Sequence, residues 1–206
     1  MAVIVNDRDE AKPDAPRAVF QRLDQVARFP YSPGEYVRRF AWLAVQATVV
    51  RFSPGRCVGW RRFWLRCFGA KMASTAGTKP TTRVTHPWLL TVGEHSMLAD
   101  GVKVYNLGEI RVGDHTVVSQ DAHLCAGTHD HTQPALPLLR PPITIGSGVW
   151  VCAEAFIGPG VTVHDNAVVA ARAVVVKDVP AGMIVGGNPA KVIKPRLTDD
   201  ASLGEG

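Results

Sequence analysis

An aliphatic residue recurs at every sixth position over much of the second half of this 206-residue chain. The longest run is Ile145, Val151, Ile157, Val163, Val169 and Val175. Two shorter runs with the same spacing precede it, Val92, Leu98, Val104 and then Val112, Val118, Leu124. Four residues after most of these positions stands a small or β-branched residue, such as Ala155 or Ala167.

A period of six residues is typical of a β-helix, in which three short strands close one triangular coil. The aliphatic residue of each side points inward, the small residue fits at the corner, and each coil buries its neighbour's apolar face. A sandwich or barrel would instead show turn signals about every 8–12 residues, with alternating polarity. The chain is therefore predicted to be mainly β, with a parallel β-helix of hexapeptide repeats.

The composition changes along the chain and predicts four parts. These are an irregular lead-in (1–34), a basic and aromatic helical segment (35–71), the β-helix (72–196) and a flexible tail (197–206). Within the lead-in, Val19, Leu23 and Val26 share one helical face, which indicates a short helix near Pro16–Ala27. Within the second part, helical patterns run from Tyr36 to Phe52 and from Trp60 to Phe68, separated by Pro54-Gly55.

Two interruptions break the six-residue register, and such interruptions are where repeat proteins usually carry their function. The first is a slip of two residues between Val104 and Val112. The second is longer, because the pattern stops after His129 and resumes only at Ile145. The intervening segment, 130–144, is too rich in proline to join a parallel sheet and is predicted to protrude as a loop.

His129 stands where the repeat meets this loop. Imidazole titrates close to neutral pH, so a histidine at the edge of a rigid scaffold is suited to accept a proton as a general base. Position alone leaves open the alternative of a solvent-exposed histidine without a role.

Several motifs resemble those of the colanic acid biosynthesis acetyltransferases and, more broadly, the maltose, galactoside and nodulation-factor O-acetyltransferases. The resemblance covers roughly 40–196, and its motifs are Gly59–Lys71, His86–Trp88, Tyr105–Gly108, Gly127–Asp130, Val176–Pro180 and Gly187–Ile193. It implies a left-handed β-helix and a homotrimer with its active sites between subunits. It also implies an O-acetyltransferase that moves an acetyl group directly from acetyl-CoA, without a metal, to a sugar hydroxyl of an exopolysaccharide or related intermediate.

The resemblance also implies roles for particular residues. His129 matches the family's catalytic base and Asn106 the asparagine near the acceptor sugar, with the neighbouring Tyr105, Asp130 and His131 as further substrate-binding candidates. For acetyl-CoA, the matching positions are Trp150 beside the pantetheine arm, the backbone N–H of Ala153 facing the thioester carbonyl, Ala171 on the pantetheine, and Lys177, Lys191 and Lys194 near the nucleotide. The run Val169-Ala170-Ala171-Arg172 departs from the usual Gly-Ala-Gly, and Val176 replaces a frequent threonine; both changes keep the backbone donors.

Other chemistries remain open at this point. Cys125 and Cys152 could act as nucleophiles, although both occupy a repeat position that is normally a small packed residue. The histidines His115, His123, His129 and His131 require comparison with the γ-class carbonic anhydrases, zinc enzymes of the same fold. A non-catalytic β-helix scaffold is the third alternative. Trp150 and the three lysines could also be ordinary surface residues.

The charge distribution indicates possible partners. The formal net charge is +5, but eight of the basic residues lie between Val37 and Lys71, where there is no Asp or Glu. Basic residues with aromatic ones describe either an interfacial segment on an anionic membrane or a helical cap on the first coil. Nucleic acid is not expected, because the repeat region is not basic. The four cysteines lack metal or disulfide spacing, and the N-terminus does not have the pattern of a signal peptide. A cytoplasmic protein is therefore expected, with a peripheral position at the inner face of the membrane under the interfacial hypothesis.

Overall fold

The computed structural model describes residues 19–26 and 31–196. Successive short strands of the coil visit three sheets in turn and pair in parallel within each sheet, so that the chain winds as a triangular coil. The last strand of sheet B is added antiparallel. Sheet A contains β1 (Lys71–Met72), β4 (Leu90–Val92), β7 (Ile110–Val112), β12 (Ile143–Ile145) and β15 (Thr162–Val163). Sheet B contains β2 (Gly77–Thr78), β5 (Met97–Leu98), β8 (Val117–Val118), β13 (Trp150–Val151), β16 (Val168–Val169), β18 (Met183–Gly187) and β19 (Ala190–Pro195). Sheet C contains β3 (Arg83–Val84), β6 (Lys103–Tyr105), β9 (His123–Cys125), β14 (Phe156–Ile157) and β17 (Val174–Val175).

The repeat positions form the core of the coil. All twelve aliphatic residues of the six-residue pattern are at most 2% exposed, and Ala155 and Ala167 at the corners are fully buried. Glycine at the second place of a repeat has a steric reason, since a Cβ on Gly113 would lie 2.7 Å from the carbonyl carbon of Gly146 in the next coil. The predicted fold class, a mainly β parallel β-helix with an N-terminal helical segment and an excursion loop, is confirmed.

One coil more is present than the aliphatic pattern showed. Met72, Thr78 and Val84 are buried in the same six-residue register and precede the coil that begins with Val92. The pattern missed this coil because Met and Thr are not the aliphatic residues that mark the repeat elsewhere. A two-residue slip follows Val84 just as one follows Val104, so the corner after sheet C is enlarged in each of the first three coils.

The helices lie across the open end of the first coil. Helix α1 (Pro33–Val45) begins with a capping box, in which Ser32 Oγ accepts the Glu35 N–H and the Glu35 carboxylate accepts the Ser32 N–H. A π-helical turn (Gln46–Val50) follows, and α2 (Val58–Cys67) lies after the Pro54-Gly55 break. Trp42 is 2% exposed and its indole N–H donates to the Val84 carbonyl at 2.6 Å, which ties α1 to the coil.

Arg61 fixes α2 to the same end of the β-helix. Its side chain is fully buried and donates to the carbonyl of Thr78 at 2.7 Å, to Ser53 Oγ, and to the carbonyls of Pro54 and Gly55. A buried guanidinium is tolerated only when its donors are satisfied in this way. The inner side of the helical segment is therefore a cap on the first coil.

The lead-in differs from the prediction where it is described. Instead of a helix around Pro16–Ala27, residues 19–26 contain one 3₁₀ turn (Leu23–Gln25), and Val19 and Val26 are exposed. Neither Val19 nor Val26 is buried, so these two residues give a longer helix no apolar support. The first part of that predicted helix and the predicted tail (197–206) lie outside the described residues.

Candidate active site

The excursion loop begins and ends with a small antiparallel pair of strands. Strand β10 (Thr128–His129) leaves the third coil and pairs with β11 (Leu138–Leu139), His129 lying opposite Leu138. The hairpin holds His129 at the edge of the β-helix with its side chain exposed to solvent. The backbone N–H of Arg22 in the lead-in donates to the Pro134 carbonyl at 2.8 Å, so the lead-in touches the tip of the loop.

The two nitrogens of His129 have different surroundings. Nδ1 lies 2.6 Å from the carbonyl oxygen of Leu136, which can only accept, so Nδ1 carries the proton and donates it. Nε2 then holds a lone pair, and no other group among residues 19–26 and 31–196 bonds to it. This arrangement orients the ring and leaves one basic nitrogen open to solvent.

The two residues after His129 have unlike environments. The Asp130 carboxylate accepts hydrogen bonds from the Thr132 hydroxyl and N–H and from the Gln133 amide, and the bond from the Thr132 hydroxyl contributes most to its lowered pKa. Asp130 therefore closes the turn of the loop. His131 is exposed.

Tyr105 and Asn106 lie one coil below the start of the loop. Tyr105 pairs with Cys125, and its side chain is 41% exposed on the outer surface of sheet C. Asn106, by contrast, is fully buried: its Oδ1 accepts the His86 N–H at 2.8 Å and its Nδ2 donates to the His86 carbonyl. The Asn106 amide thus ties two coils together and presents no exposed atom to an acceptor.

The candidate cofactor residues Trp150, Ala153 and Ala171 lie elsewhere on the coil. Trp150 is 49% exposed on the outer surface of sheet B, where its indole N–H donates to Ser119 Oγ at 2.9 Å. Ala153 and Ala171 occupy the same position in successive coils, the second residue of the turn between sheets B and C. In each turn the next residue, Glu154 or Arg172, has positive φ.

Two backbone N–H groups at this corner have no acceptor among the described residues. Ala155 N–H bonds to the Cys152 carbonyl and Ala173 N–H to that of Ala170, which closes both turns. The N–H groups of Ala153 and Ala171 donate no hydrogen bond within the described residues. An exposed pair of unused donors on one edge suits the carbonyl groups of an extended ligand.

The three candidate lysines are exposed at the C-terminal end of the β-helix. Lys177 follows β17, and Lys191 and Lys194 lie on β19, opposite Gly186 and Ile184 of β18. Gly186 and Ile184 both lie on the face of β18 opposite to the buried Val185, because alternate residues of a strand share a face. A register shift between the two strands lets both lysines pair with these residues, so both lie on that face. None of the three takes part in an ion pair within the described residues.

One chain does not bring the two groups of predicted residues together. His129, Tyr105 and Asn106 belong to the corner that follows sheet C, whereas Ala153 and Ala171 belong to the corner that precedes it. The width of sheet C separates these corners, roughly 15 Å for about five extended residues. A reacting atom at Ala153 is therefore out of reach of His129 in the same chain.

His86 is a residue at this corner whose burial the sequence did not reveal. It lies one coil below Asn106, is 3% exposed, and donates from Nδ1 to the Asn106 carbonyl oxygen at 3.0 Å. Its Nε2 is buried without a partner among the described residues, and burial, assisted by Arg39, lowers its pKa to about 4. The available signal was the spacing, because His86 stands 20 residues before Asn106, the length of one coil.

The geometry bears on the alternative chemistries. Burial raises the pKa of the Cys125 and Cys152 thiols, which disfavours the nucleophilic thiolate. His115 stacks on His95 at one corner and His123 contacts Phe156 on sheet C, so these two do not converge with His129. Among the residues that the structure describes, no group of three or more His, Cys, Asp or Glu side chains is placed to hold a metal ion.

Comparison with known proteins now decides the family. The chain is 42% identical over 164 residues to the Escherichia coli protein named "Putative colanic acid biosynthesis acetyltransferase WcaF", covering 80% of this chain and 90% of that protein. The chain belongs to this acetyltransferase family. The E. coli galactoside O-acetyltransferase is a more distant relative, 25% identical over 128 residues that cover 61% of this chain and 63% of the relative. No protein-family model matches the chain.

Solved structures agree with the fold of the family. A hexapeptide-repeat acetyltransferase from Vibrio cholerae, crystallised with acetyl-CoA, has a TM-score of 0.73 at 23% identity and covers 85% of this chain and 96% of its own. A galactoside acetyltransferase in complex with CoA also has a TM-score of 0.73, at 22% identity, over 82% of this chain and 86% of its own. The expected enzyme class, an acetyltransferase of the hexapeptide-repeat type, is confirmed.

No helix within the described residues combines the length and the apolar character that crossing a bilayer requires.

Proposed function

We propose that this acetyltransferase moves the acetyl group of acetyl-CoA to a hydroxyl of a saccharide, with His129 as the general base. The observation that carries the proposal is the Nδ1 contact of His129 with the Leu136 carbonyl, which leaves Nε2 as an exposed proton acceptor. The WcaF relative supports a saccharide of a surface polysaccharide, or a lipid-linked intermediate of one, as the acceptor class.

The chemistry requires one proton transfer and one acyl transfer. Nε2 of His129 takes the hydroxyl proton while the hydroxyl oxygen bonds to the thioester carbonyl carbon. The carbonyl oxygen gains negative charge, which the N–H of Ala153 stabilises. The carbon–sulfur bond then breaks, and the CoA thiolate leaves and recovers the proton from the imidazolium.

The residues of the B–C corner fit an extended CoA. The N–H of Ala171, one coil beyond Ala153, would bond to the pantetheine arm, with the ring of Trp150 beside it. Lys177, Lys191 and Lys194 supply positive charge at the end of the β-helix for the nucleotide phosphates. Tyr105, His131 and the loop lie on the acceptor side, and Asn106 acts there through the corner it holds rather than by direct contact.

A second copy of the chain completes the site in this proposal. Sheet C separates His129 from Ala153 within one chain, so the base of one subunit must serve the N–H groups of its neighbour. A homotrimer repeats this pairing three times around one axis and closes the assembly.

The direct test is release of CoA thiol from acetyl-CoA over a panel of sugars and lipid-linked oligosaccharides. Wild type is expected to turn over on at least one saccharide, and the His129→Ala variant to bind acetyl-CoA but lose turnover. Binding without turnover by wild type on every saccharide would contradict the acceptor class. Absence of acetyl-CoA binding would contradict the cofactor.

Mixed assemblies test the shared site. Ala153→Pro deletes one N–H at a turn position that proline favours, since φ is positive at the following residue. It should lower kcat by about 10²–10³-fold, the effect of losing one oxyanion donor. Gln120→Pro, at the same turn position one coil earlier, is the matched control. Co-expressed His129→Ala and Ala153→Pro chains should regain part of the activity, because some sites receive both intact partners. No recovery in an assembly that contains both chains would contradict the shared site.

The outer side of the helical segment supports contact with an anionic membrane. Val37, Phe40 and Leu43 are exposed by 70%, 68% and 57% along α1, and Phe52, Trp60 and Phe63 are exposed beyond it. The segment from Val37 to Lys71 contains no acidic residue to repel acidic lipids. Apolar and basic side chains on one surface suit the interfacial region of a bilayer.

Co-sedimentation with vesicles tests this contact. Phosphatidylcholine vesicles containing phosphatidylglycerol should bind the protein at low salt, and Phe52→Glu, at a residue that is 82% exposed, should weaken binding. Thr91→Glu, on the polar surface of sheet A, is the matched control for the added charge. Failure to bind the anionic vesicles at low salt would exclude the membrane contact, while acetyl transfer would be unaffected.

A further inference from the structure

A cavity of about 480 Å³ lies between helix α1 and the first coil. Its walls are aromatic on the helix side, where Tyr31, Tyr36 and Phe40 line it, and the coil contributes Arg83 and Thr85. The cavity lies at the first coil, whose strand β3 carries Arg83, whereas Ala153 and Ala171 belong to the fourth and fifth coils. The volume is enough for one or two sugar rings.

The charge of the cavity is one-sided. Two of its ten lining residues are arginines, Arg39 and Arg83, and none is acidic. Neither arginine forms an ion pair within residues 19–26 and 31–196, and Nη1 of Arg39 is buried with no hydrogen-bond partner. A buried guanidinium N–H without an acceptor is costly, so an anionic ligand that supplied one would be favoured.

The positive charge of the cavity extends along sheet C. Arg83 also lines three adjoining grooves, which add Arg51 and Lys103 to the basic edge and Asp121 as their only acidic residue. Aromatic walls suit the C–H face of a pyranose, and a planar guanidinium suits a carboxylate. An acidic sugar presents both groups together.

The ring of Tyr31 connects the cavity to the excursion loop. The guanidinium of Arg39 lies 3.9 Å from the centroid of the Tyr31 ring, and that of Arg140 lies 4.9 Å from the same centroid. Arg140 directly follows β11, the strand that pairs with the strand of His129. A ligand held by Arg39 would therefore be separated from Arg140 and the loop by the Tyr31 ring.

We propose that this cavity between α1 and the first coil is a subsite for an anionic sugar residue of the acceptor, held by Arg39 and Arg83 against the ring of Phe40. The proposal rests on the acetyltransferase function stated above and names the acceptor class as an acidic saccharide. A carboxylate or a phosphate on the sugar would provide the charge.

Binding without acetyl-CoA tests the subsite separately from catalysis. Isothermal titration would compare 4-nitrophenyl β-D-glucuronide with 4-nitrophenyl β-D-glucoside, which lacks the carboxylate. The glucuronide should bind at least about tenfold more tightly, and Arg83→Gln should remove about that factor while leaving glucoside binding unchanged. Arg111→Gln, on the outer surface of sheet A, is the matched charge control.

The outcomes separate the subsite from the proposed reaction. The His129→Ala variant should bind the glucuronide as wild type does, so the subsite can stand even if acetyl transfer fails. Glucose 6-phosphate binding more tightly than the glucuronide, with the same dependence on Arg83, would support the subsite with a phosphate as the anion. Equal binding of glucuronide and glucoside, or glucuronide binding insensitive to Arg83→Gln, would overturn the proposal. So would Arg83-dependent binding of dihexanoyl phosphatidylglycerol with no binding of either anionic sugar, because the cavity would then take a lipid headgroup.

Discussion

Two histidines of the first three coils lie at the same corner of the β-helix and have opposite environments. His86 and His129 each direct Nδ1 at a backbone carbonyl oxygen, that of Asn106 at 3.0 Å and that of Leu136 at 2.6 Å. Both therefore hold their lone pair on Nε2. In His86 this nitrogen is buried with no partner in the part of the chain that the structure describes, and in His129 it belongs to an exposed side chain.

The difference shows that the tautomer alone does not make a base. His86 is covered by Tyr31 and Trp88, whose rings lie 6.2 and 4.8 Å from its own, and it holds the corner shut. At His129 the chain leaves the coil as a hairpin, and the same imidazole geometry meets solvent. A general base needs an Nε2 that the substrate can reach, and His129 has one. The Nε2 of His86 is buried, so His86 can serve only the packing of the coils.

The largest expected effect is on catalysis by His129. His129→Ala should lower kcat by about 10²–10⁴-fold, the usual contribution of a general base, and leave the melting temperature close to that of wild type. Steady-state kinetics and thermal unfolding measure the two quantities. His164→Ala, an exposed histidine of the last coil, is the control. A variant with wild-type kcat would remove His129 from the reaction.

At His86, the expected effect of a substitution is on the stability of the fold. Asn106→Leu keeps the volume but leaves the N–H and carbonyl of His86 without partners, which should lower the free energy of unfolding by about 3–4 kcal/mol. Urea unfolding of the variant measures this loss. A loss below about 0.5 kcal/mol, the level of ordinary surface substitutions, would show that the amide is not a structural tie.

Acid should lower the stability of the protein through His86. The pKa of His86 is about 4 when folded, below that of an unfolded histidine, so the unfolded chain binds a proton first as pH falls. Stability from this group is complete above about pH 6.5 and is lost between about pH 6.5 and 4, by roughly 3 kcal/mol. Urea titrations across that window measure the slope, and His86→Gln should flatten it. An unchanged slope in His86→Gln would assign the pH dependence to other groups.

The smallest effect concerns the support of the open corner. Asp130→Ala removes the acceptor that closes the loop turn, so the Leu136 carbonyl would hold His129 less firmly. We expect kcat to fall about two- to tenfold, the rate equivalent of roughly 0.5–1.5 kcal/mol, with little change in stability. Asp130→Asn keeps an oxygen acceptor and should be milder. Equal rates for wild type and Asp130→Ala would separate the turn from the base.

The sequence predicted the coil well because its core is periodic. Each aliphatic position faces the same interior, so one residue type repeats and the register is visible, as from Ile145 to Val175. The aliphatic run did not show the first coil, although the predicted β-helix bounds (72–196) include it, because Met72 and Thr78 fill the same space with other side chains. The helix predicted in the lead-in was wrong over residues 19–26, because Val19 and Val26 are exposed and a short apolar pattern without buried contacts does not stabilise a helix.

The site was harder to predict, because its contacts depend on corners and not on the period. The resemblance pointed to Asn106 as a candidate for sugar contact, yet only the coil geometry shows that its amide is spent on His86. The Leu136 carbonyl that orients His129 is a backbone atom in an irregular loop and leaves no sequence pattern. Ala153 likewise matters through an N–H that every residue but proline has.

The cap formed by α1 and α2 has a consequence for solubility. The first strands of the three sheets, β1, β2 and β3, each have a neighbour on one side only, so their outer edges are templates for further strands. Arg61 and Trp42 occupy that end by bonding to the Thr78 and Val84 carbonyls. A chain lacking this cap would offer three parallel edges to another molecule, and end-to-end stacking into fibrils is the expected fate of such an open coil.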